Sequence, residues 1–259
     1  MTSDLTPLPS KPPPFVPPAL VQPPRLIVVG VDAGGDEVAR LVLGHGQDPA
    51  VLLTLHGWQV LRAREVMTNT VGEHLLVLSF EVDRHVAAPL AKREPLRDED
   101  LVIVDGEIPF RYQRVAAYAL VTSSRGVLMT QFSEATNAPG QWGLPGGGLE
   151  VDEAPDRAVV REVWEESGQV IEVKELAMVH TSHWIGRAPA GRLEDFHAIR
   201  VVYRAACAEP SDPTVHDVGG TTAFAAWVPP ADLDRLEVTA GWRSLLSALV
   251  TAPGQADRP

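Results

Sequence analysis

The chain has 259 residues, 45% of them hydrophobic, and a formal net charge of -12. That length holds one large domain or two modest ones, and the composition is that of an ordinary globular protein. With no basic surplus to neutralise phosphates, general nucleic-acid binding is not expected; nor is a membrane span, since no apolar run approaches the roughly 20 residues that cross a bilayer.

The lone cysteine, Cys207, excludes an intramolecular disulfide and suits a reducing cytosol. It reads as a buried small residue at the end of a strand. The N-terminus lacks a basic start followed by an apolar core, so no secretory signal is expected and a cytoplasmic location is.

Residues 1–24 hold nine of the 23 prolines, including Pro12-Pro13-Pro14, a run that cannot form helix or ladder and reads as an extended tail. From Arg25 the character changes. Residues 26–31 read as a strand, 32–36 as a turn and 37–43 as a short helix. Ala50 to Leu55, Trp58 to Arg64 and His74 to Val82 read as three further strands. Together they predict a small α+β module over residues 25–100, of unassigned role and a candidate for mediating a homodimer. Gly30, Gly34 and Gly35 miss the G-x-G-x-x-G spacing and are read as turn glycines. His56 and His74 read as structural. Residues 83–107 mix charge and proline and read mostly as a linker.

A second domain is expected over residues 108–252. Val115 to Val121 and Val127 to Phe132 flank a Ser124-Arg125-Gly126 turn and predict a hairpin. Ala154 to Ser167 reads as a helix entered at Glu153, with Pro155 in the first turn and Gly168 as C-cap. Glu162, Glu165 and Glu166 stand at i, i+3 and i+4 and share one face. Three carboxylates there repel one another unless something cationic sits between them, and hard divalent cations such as Mg2+ take oxygen ligands of this kind. Beyond the helix, residues 170–173 and 176–180 read as short strands and Thr181 to Asp195 as a polar loop. Phe196 to Ala206 and Ala223 to Val228 read as strands. A final helix presents Leu245, Leu246 and Leu249 on its apolar face.

The stretch from Gly147 to Gly168 resembles the Nudix box, G-x5-E-x7-R-E-U-x-E-E-x-G-U, where U is a bulky aliphatic residue. Gly147, Glu153, Arg161, Glu162, Val163, Glu165, Glu166 and Gly168 fall on their positions, and only Gln169 departs, at the last one. The resemblance implies a Nudix α/β/α sandwich over about residues 112–252, preceded by the α+β module and the proline-rich tail. It also implies a hydrolase that cleaves the phosphoanhydride of a nucleoside diphosphate linked to another moiety, with Mg2+ or Mn2+ as cofactor. By position, Glu162, Glu165, Glu166 and the Gly147 carbonyl are the implied metal ligands. Glu162 is the implied base, Arg161 orients a neighbouring carboxylate and Glu153 supports the site. Read from the residues alone, Glu153 and Arg161 also fit a plain ion pair anchoring loop to helix.

Many family members carry a further acid downstream of the box, and Asp217 is the choice here. For a small-molecule nucleotide substrate, Trp184, Phe196 and His183 are candidates to stack on a base, and Arg187 or Arg192 to hold a phosphate. The alternative is a Nudix-fold ligand-binding or sensing protein without turnover.

Overall fold

The computed structural model describes residues 23–85, 94–97, 100–188 and 191–251. Most of the proline-rich tail, residues 1–22, lies outside them. In chain order the elements are β1 (Arg25–Val31), β2 (Glu37–Val42), α1 (Pro49–Leu55), β3 (Trp58–Asn69), β4 (Leu75–Arg84), β5 (Leu96–Arg97), β6 (Phe110–Ser123), β7 (Gly126–Phe132), β8 (Trp142–Gly143), β9 (Gly146–Gly148), α2 (Pro155–Ser167), β10 (Glu172–Arg187), β11 (Leu193–Ala206), β12 (Thr222–Val228), a 3-10 turn over Pro230–Arg235, and α3 (Ala240–Thr251).

Two sheets result. The first has the order β2-β1-β4-β3, with β1 parallel to β4 and antiparallel to β2. The second has the order β12-β7-β6-β11-β10-β5, with β8 added to β7 and β9 to β6.

Side chains alternate across a strand with period two, and β6 uses that alternation to carry two cores. Val115, Ala117, Ala119 and Val121 face α2, packing with its Ala158, Val159 and Val163. Leu120 faces the opposite way, with Met129, Leu144 and Val202, against Trp242, Leu245, Leu246 and Leu249 of α3. This is the expected α/β/α layering. The α2-side cluster does not stop at the second sheet: Leu26, Val28, Leu76, Leu78 and Phe80 of the first sheet, with Leu52 and Leu53 of α1, belong to it. Cys207 is buried in the same cluster, just past the end of β11.

Four local expectations are corrected. Residues 37–42 form strand β2, not a helix, because they pair antiparallel along β1, from Val42 opposite Ile27 to Glu37 opposite Val31. Residues 49–55 form helix α1, not a strand: Asp48 caps it, its carboxylate accepting from the Ala50 and Val51 N–H groups, with Pro49 in the first turn. Within the expected linker, Leu96 and Arg97 pair as β5 alongside Trp184 and Ile185 of β10, while residues 86–93 and 98–99 lie outside the described residues. Thr181 to Arg187 and Leu193 to Asp195 are strand, not loop; the antiparallel register runs unbroken from Val201 opposite Val179 to Leu193 opposite Arg187. A polar composition hid this extension, whose β10 side chains from Thr181 to Ile185 are only partly buried, although Leu193 and Glu194 of β11 are buried.

Candidate active site

The site is assembled where α2 packs on β9 and β6. Gly146, Gly147 and Gly148 pair antiparallel with Tyr118, Ala117 and Ala116. Gly146 needs its positive φ of 139°, and a Cβ there would lie 2.2 Å from the Ala117 carbonyl oxygen. At Gly147 the room is taken by the site itself: a Cβ would stand 2.5 Å from the Glu162 carboxylate. A Gly147→Ala change therefore meets the flexible end of a side chain rather than fixed backbone. We expect stability within about 1 kcal/mol of the parent, with turnover lowered roughly 100-fold because the carboxylate is displaced. Steady-state kinetics beside a thermal melt reads both.

Arg161 organises the carboxylates. Its Nε donates to Glu153 Oε1 at 2.8 Å and its Nη2 to Glu153 Oε2 at 2.8 Å, a bidentate pair. Its Nη1 donates to Glu162 Oε1 and to Glu165 Oε2, each at 3.0 Å, and Nη2 also donates to the Gly148 carbonyl at 3.0 Å. These contacts keep the guanidinium firmly protonated. Burial alone would push the Glu153 carboxyl up, but the bonds from Arg161 and from the Glu150 N–H outweigh it, and the group is held below its ordinary range. At Glu162 burial wins over the Arg161 contacts, and its pKa is raised.

Glu166 turns away from Arg161. It is 6% exposed, and its carboxylate accepts from the Gly146 N–H at 2.8 Å and from the Thr222 hydroxyl. Burial pushes its pKa up to about 7, against those two hydrogen bonds, with Glu162 and Asp217 adding like charge. An acid whose folded pKa exceeds its unfolded one contributes stability that is fully present below the unfolded value, 4.5, and lost as pH rises through 7. Chelator-treated protein is therefore expected to lose up to about 3 kcal/mol through this group between pH 4.5 and 8. Glu166→Gln should flatten that part of the profile in denaturant melts; an unchanged slope would refute the assignment.

The far end of α2 is closed by the 211–217 segment. Gly168 takes the left-handed conformation, φ 67°, that a helix C-terminus favours. Thr214 N–H donates to the Ser167 carbonyl, and the His216 and Asp217 N–H groups donate to that of Glu165, satisfying carbonyls the helix leaves free. His216 also stacks on Trp164, centroids 4.5 Å apart at 15°. Asp217, the downstream acid chosen from the sequence, is thus brought beside α2, near enough to Glu166 to raise its pKa.

Of the residues singled out from the sequence, Gly147, Glu153, Arg161, Glu162, Glu165 and Glu166 come together. Trp184, Phe196 and Arg187 do not join them. Trp184 packs on Phe196, centroids 5.2 Å apart, and Phe196 on Tyr112 at 5.3 Å. Arg187 donates from Nη1 and Nη2 to the two Glu107 carboxylate oxygens at 2.9 and 2.8 Å, and to the Gly191 and Val102 carbonyls. It ties the 102–107 segment to the end of β10.

The sequence reading passed over Arg114 and Tyr112. An open cleft of about 410 Å³ lies between Arg114, Tyr112, Glu150, Arg161 and Glu162 on one side and Pro23, Pro24 and His74 on the other. Nothing in the local pattern around Arg114 marks it: it is one polar residue of a long strand, and only the pairing of β6 with β9 sets it against Gly148.

Comparison with known proteins gives consistent results. The model for the NUDIX domain matches residues 112–249. A MutT-like protein of Streptomyces ambofaciens is 58% identical over 41 residues, 16% of this chain and 27% of that protein. The chain thus spans only about a quarter of that relative's length. The nucleoside triphosphatase NudI of Klebsiella pneumoniae is 32% identical over 116 residues, 42% of this chain and 76% of that protein. Among solved structures, the MutT NUDIX hydrolase of Burkholderia pseudomallei is 28% identical, covering 53% of this chain and 98% of its own, with a TM-score of 0.41.

Proposed function

The chain belongs to the Nudix hydrolase family, and from that membership we propose that it hydrolyses the phosphoanhydride of a nucleoside diphosphate linked to another moiety, with Mg2+ or Mn2+ as cofactor. The observation that carries the reading is the grouping of Glu153, Glu162 and Glu165 around the single guanidinium of Arg161. With Glu166 one position further on, the carboxylates outnumber the cation. Burial drives Glu162 and Glu166 up in pKa, and like charge from neighbouring carboxylates adds to it at both.

An all-oxygen donor set of this kind suits a hard divalent cation. Glu162, Glu165, Glu166 and the Gly147 carbonyl would hold it, and bound there it would neutralise charge on the substrate phosphates and polarise the phosphoryl oxygen. The chain's own residues do the rest. Arg161 holds Glu162 and Glu165 at fixed positions and keeps Glu162 available to accept a proton from the attacking water. Glu153 locks the guanidinium from the other side. Asp217 is the proposed downstream acid, lying on the Glu166 side of the helix end. Arg114, against Gly148 at the mouth of the cleft, is placed to receive a phosphate oxygen bidentately. Tyr112, backed by Phe196 and Trp184, is the aromatic surface nearest the cleft, so those two residues are proposed to act through it. NudI, a nucleoside triphosphatase by name, supports a nucleotide as the substrate class.

The test is product release from a panel of nucleoside triphosphates, dinucleotides and nucleotide sugars, with Mg2+, with Mn2+ and with chelator. Metal-dependent turnover of a nucleoside diphosphate derivative is the expected result. No turnover on any compound, with metal-dependent ligand binding in a thermal shift, would replace this reading by that of a sensor.

A further inference from the structure

A second constellation lies away from the box, where the loop after β2 meets β10 and β11. In the β10–β11 register His183 stands directly opposite His197, and Asp195 is two residues from His197 on the same face of β11. His45 reaches the same spot from the other sheet. Its Nε2 is 2.9 Å from Asp195 Oδ1, and the Nε2 of His183 is 2.5 Å from that same oxygen. The three ring centroids form a triangle with sides of 5.3, 5.6 and 6.1 Å. The loop is seated on the cluster: a Cβ on Gly46 would stand 2.6 Å from the His183 ring.

We propose that His45, His183 and Asp195 form a binding site for a first-row transition metal of the Zn2+ class, beside the ring of His197, and that the bound ion fastens the first sheet to the second. Two imidazole nitrogens and a carboxylate oxygen, all within 4.8 Å of one another, make the ligand set. Imidazole selects Zn2+ and its neighbours over Mg2+, so this site and the box take different ions. His197 supplies the independent sign. It is fully buried, its Nδ1 meets the Gln113 Oε1 acceptor at 3.1 Å, and its Nε2 has no hydrogen-bond partner. The Gln47 backbone also lies against this ring, and with Nδ1 donating to Gln113 the Nε2 lone pair is left in the interior beside the cluster.

A plain ion pair accounts for less. It explains two histidines converging on one carboxylate oxygen, but not the third ring beside them with its inner nitrogen unmet. Arg111 adds little, with Nε 3.8 Å from Asp195 Oδ2 on a side chain 78% exposed. Asp48, at the same loop, is occupied: its Oδ2 accepts from the Thr181 hydroxyl at 2.8 Å and its Oδ1 caps α1.

The experiment uses the full chain, stripped with chelator and dialysed against Zn2+ or Co2+ with Mg2+ in excess. One retained equivalent of Zn2+ by elemental analysis is expected, with visible absorption bands when Co2+ replaces it and a rise in melting temperature on Zn2+ addition. His45→Ala and His183→Ala should each weaken Zn2+ affinity by more than roughly 100-fold, whereas Glu165→Gln in the box should retain the ion. His45→Gln serves if the alanine variant does not fold, and the Co2+ spectrum of the parent protein needs no variant. Retention no higher than in a blank dialysis, or equal retention by the parent and both histidine variants, would overturn the proposal.

Discussion

Glu165→Gln is expected to lower kcat/KM of the metal-dependent reaction by about 1000-fold or more, equivalent to about 4 kcal/mol of transition-state stabilisation. The reason is economy of function in that side chain. Glu165 is 35% exposed, and among the described residues its salt bridge is to Arg161. The fold leans on it little, so melting should shift by about 1 kcal/mol or less. Loss of turnover with unchanged stability would identify Glu165 as part of the reacting site. Turnover within tenfold of the parent would remove it from the metal ligands and weaken the hydrolase reading.

The second large effect concerns Arg161. Substituting methionine removes the bidentate bond to Glu153, the bonds to Glu162 and Glu165 and the bond to the Gly148 carbonyl in one step. Three partly buried carboxylates then face one another, with Arg114 the remaining cation acting on Glu162. Breaking such a cluster from one side costs about 3–5 kcal/mol, or roughly 10 °C in melting temperature for a chain of this size. The loss should be larger in chelator than in excess Mg2+, because a bound cation offsets part of the repulsion that the guanidinium no longer relieves. Equal melting curves for parent and variant in chelator would show that the cluster is relieved by solvent instead. Glu153→Gln separates Arg161's two duties: it weakens the anchor between loop and helix while leaving the contacts to Glu162 and Glu165.

The box helix was readable because its signals are local. Pro155 in the first turn, Gly168 at the end and carboxylates spaced three and four apart lie within one short segment and need no partner to be recognised. The exchange of roles between residues 37–42 and 49–55 has an equally local cause. Val51, Leu52, Leu53 and Leu55 look like a buried strand until Asp48-Pro49 is read as a cap and first turn. Glu37 to Val42 looks helical until its pairing with β1 is seen. The cleft and the histidine cluster were not readable in this way. His45 and Asp195 are 150 residues apart, and nothing around either residue marks the other. Arg114 and His74 meet across the cleft only because the first sheet docks on the second.

That docking bears on how the chain is made. Leu76 and Leu176 belong to one apolar cluster, yet the second is synthesised a hundred residues after the first. At about 5–20 residues per second on the ribosome, the inner face of the first sheet waits some 5–20 s for its cover. During that interval the nascent chain presents Leu76, Leu78 and Phe80 to whatever else is nearby. A chaperone that binds extended apolar segments should therefore crosslink to nascent chains halted near residue 150, with the first sheet clear of the ribosome and Leu176 not yet made, far more than to chains released at full length.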